Sequence, residues 1–282
     1  MAKLQKNTSN KLEDFVFDIK EKILKSKLVG WDDTVIKIGE KEEGCLRVYT
    51  DGKFALYKAH LAKNTKGMDE DGILQNLGPE TTVVHDHLLH NYCKKYLYQN
   101  AECNAHITRK AKGIEKNTKH NWPKRMCDLL RTTDHIRNER MKWNQTSFKE
   151  EEIQKIWTVY DEIVQEGFEE YQKFCHKYEY TKEENLLEFL RDFKENILCW
   201  VKNWEVPYSN NLCETLLRFT KSKMKISYQF KNLETARQFA NIHSYTESCG
   251  RFGKNKFEAL KRLFDGNPFT VTELLAEKNN QN

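Results

Sequence analysis

The sequence predicts an α/β fold, with a mixed five-stranded sheet, flanking helices and a helical insertion before a last helix that carries an acidic residue. Three features favour this fold. Short β-branched runs cluster in residues 29–107, apolar residues recur at helical spacing through residues 110–204, and a proline loop at Pro207 precedes the last helix. Short β-branched runs are typical of strands, and recurrence every three or four residues is typical of helices.

The N-terminal part begins with an amphipathic helix, predicted over residues 11–28, and continues into three strands. We predict these strands at residues 29–38, 45–50 and 54–60. The Asp51-Gly52 pair between the second and the third is a strong signal for a two-residue hairpin. Three consecutive antiparallel strands are therefore expected to open the sheet.

Two more strands and two short helices are predicted to complete the sheet. We expect helices at residues 72–77 and 88–98, and strands at residues 81–85 and 102–107. The fourth strand ends directly before Asp86. The resulting order, strand-strand-strand-helix-strand-helix-strand, indicates a mixed sheet.

Beyond residue 109 the pattern is helical. Apolar and aromatic residues form one stripe in residues 148–174 and another in residues 186–201, and such stripes are typical of core rather than of a ligand site. Short helices are also expected at residues 233–247 and 254–264. We therefore divide the chain into four parts: an N-terminal helix at residues 1–28, a first core part at residues 29–109, a helical insertion at residues 110–205, and a second core part at residues 206–282.

Composition excludes several classes of protein. Hydrophobic residues make up 38% and charged residues 32% of the 282 positions, which is typical of a soluble globular chain and not of a disordered one. No apolar run approaches the length of a membrane span, and the charged N-terminus lacks a signal-peptide core. We therefore expect no membrane contact and a cytoplasmic location. The eight scattered cysteines include no C-x-x-C pair and are expected to be reduced.

Positive charge is concentrated in two segments, although the net charge is only +5. Residues 107–142 carry 11 basic and 4 acidic groups, and residues 206–262 carry the same numbers. Residues 143–205, between them, carry 8 basic and 15 acidic groups. This distribution indicates that particular faces contact a polyanion, although ordinary lysine-rich helices give the same pattern.

The stretch at residues 207–225 carries the most informative pattern. We predict that Asn211 caps a helix whose third residue is Glu214. Basic residues then recur at Arg218, Lys221 and Lys225. Two interpretations remain open. Glu214 either completes a capping box with Asn211 or holds a metal ion that the basic stripe places against a phosphate backbone.

Two further acids favour the metal interpretation. Asp32 lies within the first predicted strand, and Asp86 ends the fourth. If these strands are neighbours, both carboxylates converge at one end of the sheet, where the late helix can bring Glu214. Three carboxylates are costly to gather unless a divalent cation neutralises them, and oxygen ligands suit Mg²⁺ or Mn²⁺. Two such ions about 4 Å apart support phosphodiester chemistry, whereas any one acid alone is more often structural.

Four motifs surround these acids. They are Trp31-Asp32-Asp33-Thr34, Val83-Val84-His85-Asp86, Cys103-x-x-His106-x-x-Arg109 and Pro207-x-x-Asn210-Asn211-x-x-Glu214-x-x-x-Arg218. The motifs resemble those of bacterial insertion-sequence transposases of family sixty-six, a DDE group with a ribonuclease-H-like catalytic domain. The last motif is the most specific, and the resemblance covers about residues 11–264, including the helical insertion.

The resemblance implies a DNA transposase that uses a DDE triad and two Mg²⁺ or Mn²⁺ ions for strand cleavage and strand transfer. It implies Asp32, Asp86 and Glu214 as the catalytic metal ligands. DNA contacts are expected from Asn210, Asn211, Arg218, Lys221, Lys223 and Lys225, and supporting roles from Cys103, His106 and Arg109. The implied partners are transposon ends, target DNA, and a second copy of the chain or a full-length transposase, in the bacterial cytoplasm at the nucleoid.

Departures from the family pattern leave alternatives open. Asp33 stands where the family usually has Glu, so the first ligand is Asp32 or Asp33, with Asp32 the aligned choice. The chain starts almost at the catalytic region, so a truncated, inactive fragment that only binds DNA or a partner is one alternative. A ribonuclease-H-like nuclease that cleaves without joining is another. The Cys103-x-x-His106 spacing also allows zinc, although structural zinc sites usually need four ligands.

Overall fold

The computed structural model describes residues 2–39, 42–173 and 180–279. The strands in this part are β1 (Leu28–Ile38), β2 (Glu42–Thr50), β3 (Ala55–His60), β4 (Thr82–His85) and β5 (Gln99–Glu102). The helices are α1 (Ala2–Asn10), α2 (Glu13–Leu24), α3 (Thr65–Asp71), α4 (Asn104–Thr118), α5 (Trp122–Lys142), α6 (Glu150–Lys173), α7 (Tyr180–Asp192), α8 (Lys194–Ile197), α9 (Cys199–Lys202), α10 (Asn211–Ser227), α11 (Leu233–Arg251), α12 (Lys256–Phe264) and α13 (Val271–Asn279). Short 3₁₀ turns occur at Leu74–Asn76 and Leu89–Tyr92.

Packing divides the chain into two units. The first, here called the sheet unit, contains Met1–Gln99 and Asn210–Asn282. The second, here called the helical unit, contains Asn100–Ser209. Helices α1–α3 and α10–α13 belong to the sheet unit, and helices α4–α9 belong to the helical unit.

The sheet has the strand order β3-β2-β1-β4-β5, with β1 at its centre. Strand β1 is antiparallel to β2, with Gly30 opposite Thr50, and parallel to β4, with Gly30 opposite Val84. Strands β2 and β3 are antiparallel. The fold is therefore α/β with a mixed five-stranded sheet and flanking helices, as predicted for a ribonuclease-H-like domain, and the first and fourth strands are neighbours.

The two faces of the sheet bury different partners because side chains of a strand alternate between its faces. Trp31 of β1 lies in a core cluster with Tyr49 and the apolar side of α2. Ile36 and Ile38 lie in another cluster with residues of α10 and α11. The pairing of β1 with β2 is continuous from Gly30 to Ile38. The even-numbered residues of β1 therefore face α10, and the odd-numbered residues face α2.

Two helical segments near the N-terminus differ from their predicted bounds. The helix predicted over residues 11–28 is limited to Glu13–Leu24, and α1 precedes it. The helix predicted over residues 72–77 is wrong, because Gly72 ends α3 in the left-handed conformation (φ 65°) that glycine adopts without strain. Only a 3₁₀ turn follows it.

The helix predicted over residues 88–98 is also wrong, since this segment forms only a short 3₁₀ turn. Side chains hold its backbone in place of a helical ladder. The Asn91 amide donates to the carbonyl of Asp86 at 3.2 Å, and the Tyr98 hydroxyl donates to the carbonyl of Asn91 at 3.2 Å. The fifth strand lies earlier than predicted, at Gln99–Glu102, and the residues from Asn104 onward are helical.

The β2–β3 hairpin is present, but its loop is longer than the two residues predicted. Thr50 pairs with Ala55, which leaves a four-residue loop. The Asp51 carboxylate accepts the N–H groups of Lys53 and Phe54 at 2.8 and 2.7 Å and closes the loop. Aspartate side chains often replace backbone turns in this way, so the Asp-Gly signal located the hairpin but not its length.

The helical unit contains α4–α9, in agreement with the helical pattern of residues 110–204. Its fully buried large side chains include Trp122, Tyr160 and Trp200. The buried Glu183 carboxylate accepts the Trp122 indole N–H at 2.7 Å and lies 2.7 Å from Nδ1 of His120. Phe174, the last aromatic residue of the predicted stripe, lies outside the described residues.

Two further features of the described residues concern apolar helices and cysteines. Within residues 2–39, 42–173 and 180–279, no helix combines the length and apolarity that a bilayer crossing requires. The seven cysteines in these ranges are free thiols, and Cys175 lies outside them.

Candidate active site

Helix α10 is tied at its start to the central strand. Asn210 is its N-cap, is 2% exposed, and donates its side-chain amide to the carbonyl of Trp31 at 2.8 Å. The prediction that Asn211 is the cap is therefore wrong, because Asn211 is the first helical residue and is exposed. The Asn210 amide therefore makes a hydrogen bond inside the sheet unit, and its contact with DNA stays a prediction.

The position of this cap bears on the role of Glu214. With Asn210 as the cap, Glu214 is the fourth helical residue, one beyond the position that a capping box uses. The Glu214 backbone N–H donates to the carbonyl of Asn210 at 3.2 Å, as in an ordinary first helical turn. The Asn210 side chain makes no capping hydrogen bond. The capping-box interpretation of Glu214 is therefore excluded.

Close packing of α10 on β1 depends on Gly30. A Cβ atom at this position would lie 2.9 Å from Sγ of Cys213 and 3.3 Å from Oδ1 of Asn210. Real Cβ atoms essentially never approach another heavy atom to 2.9 Å. Only glycine therefore lets the first turn of α10 approach the strand this closely.

Two of the predicted acids meet at the end of β4. Asp86 follows the last residue of β4, and Glu214 lies in the first turns of α10. A carboxylate oxygen of Asp86 and one of Glu214 lie within 4.8 Å of each other. The sheet unit thus brings together two carboxylates from distant parts of the chain.

Asp32 lies on the same side of the sheet. It is two residues beyond Gly30, which pairs with Val84, and Asp86 is two residues beyond Val84. By the alternation of β1, Asp32 shares the face of Gly30, against which α10 packs. The Asp32 carboxylate accepts the N–H of Asp33 at 2.7 Å.

Asp33 occupies the opposite face of β1, with Trp31. Its carboxylate is 4% exposed and forms an ion pair with Nζ of Lys63 at 2.6 Å. The two neighbouring aspartates therefore have different surroundings. Asp33 is neutralised by a lysine, whereas Asp32 lies on the face that carries α10.

The electrostatics of Asp32 reflect its buried position among acids. Burial and, next in size, the negative charge of Asp86 raise the pKa of Asp32, which is about 7. Asp33 adds a smaller repulsion, while the Asp33 N–H and the Lys221 ammonium lower the pKa. Without a cation, Asp32 is therefore only partly ionised near neutral pH.

This donor set fits a divalent metal ion. Oxygen ligands of a magnesium ion sit about 2.1 Å from the metal, and therefore about 3–4 Å from one another. The separation of the Asp86 and Glu214 oxygens is compatible with such a geometry after small side-chain rotations. A cation would also remove the repulsion that raises the pKa of Asp32.

Basic residues continue along α10 from the acids. Arg218, Lys221 and Lys225 are exposed and recur at helical spacing. Lys223 points elsewhere, since its ammonium lies 4.9 Å from the ring centre of Phe230 and donates to the Ser227 hydroxyl at 3.0 Å. The stripe that leads from Glu214 therefore contains three of the four basic residues expected to contact DNA.

The predicted supporting residues lie in the first half of α4, in the helical unit. Cys103 is its buried N-cap, His106 lies in its first turn and donates its backbone N–H to the carbonyl of Cys103 at 3.1 Å, and Arg109 is exposed. Ligand atoms of Cys103 and His106 lie within 4.8 Å of each other. The pair by itself supplies fewer than the four ligands of a structural zinc site.

Sequence reasoning missed two residues that shape the site. Gly30 has a recognisable signal, because glycine inside a strand often marks a close backbone approach. Lys63 has none, since its pairing with Asp33 depends on the three-dimensional course of the chain after β3.

One comparison with known proteins bears on this geometry. The family model described as "Transposase IS66 family" matches residues 1–238, which is more than half of the chain and includes all three acids. No curated protein matches the chain significantly.

Proposed function

We propose, from the premise that the chain belongs to the IS66 family of transposases, that it cleaves and joins DNA strands at a site formed by Asp32, Asp86 and Glu214. Membership of this DDE family makes it a transposase with DNA as its partner. The assignment of the three acids as metal ligands and the strand-transfer reaction are the proposal. A second copy of the chain or a full-length transposase is the further partner we propose.

The proposal rests on the short distance between the carboxylates of Asp86 and Glu214. Two carboxylates, one at a strand end and one at a helix start, have oxygens within 4.8 Å of each other. The pKa of a third, Asp32, is raised by burial and by the charge of Asp86. A fold gains nothing in stability from like charges held together in this way. Divalent-cation binding accounts for the arrangement, since a cation converts the repulsion into attraction.

The chain's own residues supply binding and orientation. Asp32, Asp86 and Glu214 would hold two Mg²⁺ or Mn²⁺ ions, and Asp32 would bind them in its deprotonated form. The bound ions supply Lewis-acid chemistry that activates the nucleophile and stabilises the leaving oxygen. Arg218, Lys221 and Lys225 hold backbone phosphates next to the acids, so affinity for DNA falls with salt and depends little on sequence.

The proposed reaction has two steps of the same kind. In the first, water attacks a phosphodiester at the transposon end, and the bond from phosphorus to the bridging 3′ oxygen breaks. This step leaves a 3′ hydroxyl on one side and a 5′ phosphate on the other. In the second, that hydroxyl attacks a phosphodiester of target DNA, displaces the 3′ oxygen of the neighbouring nucleotide and joins the strands.

Nicking and joining assays with matched variants test this function. The substrates are a supercoiled plasmid carrying the DNA that flanks the gene, and a pre-cleaved duplex with the same end. We expect Mn²⁺-dependent nicking and joining by the wild type, and loss of at least 100-fold in both for Asp86→Asn with DNA binding retained. The matched control is Asp33→Asn, which removes an equal charge on the other face of β1.

The other outcomes separate the alternatives. Nicking without a joined product identifies a nuclease and contradicts strand transfer. Binding of DNA with neither product, under conditions where the folded state is verified, identifies an inactive fragment. Equal activity of Asp86→Asn and wild type contradicts the proposed site.

A further inference from the structure

The C-terminal end of α10 has an unusual backbone. Tyr228 ends the helix with φ 59° and ψ −40°, and its N–H donates to the carbonyl of Met224 at 3.0 Å. Glycine or asparagine normally occupies such a position, because a β-carbon clashes there. Non-glycine residues in this region persist where surrounding structure or function requires them.

Packing does not account for the choice of tyrosine. The Tyr228 side chain is 73% exposed, and the nearby Ile226 is 81% exposed. Two large apolar side chains at one helix end thus lie in solvent at an energetic cost, and one of them also holds a disfavoured backbone conformation. Ile226, two residues before Tyr228, lies on another face of the helix, so the patch is the exposed Tyr228 ring, which shares a face with Lys225 and Lys221.

The charge around this patch identifies the kind of partner. Lys225 and Lys221 are exposed on α10 immediately before it, and Arg218 lies one turn further back. Lysine is depleted in the cores of protein–protein interfaces because it must be desolvated there. Aromatic side chains interleaved with cations are typical of surfaces that bind unpaired nucleotides.

The patch is also aligned with the candidate active site. Basic residues follow Glu214 along α10 every three or four residues, at Arg218, Lys221 and Lys225, so the basic stripe begins beside the acid of this helix. Fourteen helical positions separate Glu214 from Tyr228, which corresponds to about 21 Å along the axis at 1.5 Å per residue. In duplex DNA this is about six nucleotides at 3.4 Å per nucleotide.

We propose that Tyr228 forms a base-stacking site for an unpaired nucleotide about six positions from the phosphate that is cleaved. Tyr228 stacks on the base, and Lys225 holds the adjacent phosphate. The inference rests on the proposed function in one respect: DNA must run along α10. It adds that the DNA is locally opened there.

Binding to single-stranded and duplex oligonucleotides tests the stacking site. The probe is a single-stranded 20-mer with 2-aminopurine at its centre, titrated in EDTA against the Asp86→Asn protein, in which catalysis is removed. We expect Tyr228→Ala to weaken single-strand binding about tenfold and to abolish the change in 2-aminopurine fluorescence, and Tyr228→Phe to retain both. Binding to fully paired duplex should change less than twofold.

Two controls separate stacking from folding. Tyr228→Gly should relieve the backbone and raise the melting temperature while losing single-strand binding as Tyr228→Ala does. Phe257→Ala, which removes another exposed aromatic side chain of the sheet unit (77% exposed, in α12), should leave binding unchanged. If Tyr228 has only a structural role, Tyr228→Gly should bind single-stranded DNA as tightly as the wild type.

Several results overturn the inference. Equal single-strand binding by the wild type and Tyr228→Ala contradicts it. A change in oligomeric state of Tyr228→Ala without any change in fluorescence assigns the patch to a second protein chain instead. If the wild type shows no nicking but its single-strand binding depends on Tyr228, the stacking site stands and the proposed catalytic function fails.

Discussion

Asp86 and Glu214 hold carboxylate oxygens within 4.8 Å of each other, one at the end of β4 and the other in the first turns of α10. The parallel pairing of β1 with β4 and the close packing of α10 on Gly30 produce this approach. Neither acid gains stability from the other. In the proposed function a divalent cation binds both, and the predictions on the two aspartates and on metal binding depend on that proposal.

The two neighbouring aspartates should have separable roles. Asp32→Asn should abolish metal-dependent nicking, whereas Asp33→Asn should retain it and lower the free energy of unfolding by about 1 kcal/mol through loss of the Lys63 ion pair. Denaturant unfolding and nicking are measured on the same preparations. Lys63→Met should lower the free energy of unfolding by a similar amount. The double variant should be only slightly less stable than either single variant, because each substitution alone already removes the ion pair. Loss of nicking in Asp33→Asn with Asp32→Asn active would reverse the assignment.

Metal binding should depend on pH because of Asp32. The pKa of Asp32 is about 7 without metal, so below that pH a proton competes with the cation. We expect the Mg²⁺ affinity to fall about tenfold per pH unit below 7 and to level off above it. Calorimetric titration at several pH values measures this. In Asp32→Asn the remaining affinity should lose this dependence, and an unchanged slope there would assign the proton to another group.

The raised pKa of Asp32 also predicts how the stability of the metal-free protein depends on pH. This pKa is higher in the folded than in the unfolded chain, so the folded state binds more protons between pH 4 and pH 7. Stability of the metal-free protein should therefore fall as pH rises through this range. Adding Mg²⁺ at pH 8 should restore it, and melting curves in EDTA and in Mg²⁺ give the comparison.

His243 should make stability depend on pH in the opposite direction, so that stability rises with pH. It is 6% exposed, and its ring contacts Tyr57 and Phe239. Burial lowers its pKa to about 4, the charge of Glu247 opposes this shift, and the charge of Lys256 adds to it. The unfolded chain takes up the proton first as pH falls. Stability contributed by neutral His243 is therefore complete above pH 6.5 and lost between pH 6.5 and 4, on the order of 3 kcal/mol.

Equilibrium unfolding of Asp32→Asn isolates this effect, because the titration of Asp32 is removed. His243→Gln in that background should flatten the curve between pH 4 and 6.5. A curve that keeps its full slope after this substitution shows that another group is responsible.

The approach of α10 to β1 should be sensitive to one carbon atom. Gly30→Ala places Cβ 2.9 Å from Sγ of Cys213, and we expect a destabilisation of about 1–3 kcal/mol together with weaker metal binding. Cys213→Ala removes the sulfur and should recover much of the stability in the double variant. Thermal unfolding measures both, and equal stability of Gly30→Ala and wild type contradicts the close packing.

The sequence allowed the prediction of the fold class and the family, because strands, the hairpin and the acid motifs have local signals. The expected convergence of Asp32 and Asp86 required β1 and β4 to be neighbours, and the two strands do pair. Predictions from local sequence signals were wrong where tertiary contacts determine the backbone conformation. Asn210 became the cap of α10 because its amide binds Trp31, and residues 88–98 lost their helix to bonds around Asn91. The exposed Tyr228 has no sequence signal, since its significance lies in its backbone angle.

Titration of Mn²⁺ into the wild type, Asp86→Asn and Glu214→Gln tests the central claim most directly, with Glu258→Gln as a control that removes an acid of α12. If the acids bind metal together, the wild type and the control bind Mn²⁺ alike and each of the other two variants loses at least tenfold in affinity. Wild-type affinity in Glu214→Gln, with the fold intact, would contradict the claim that α10 brings the third ligand to the site.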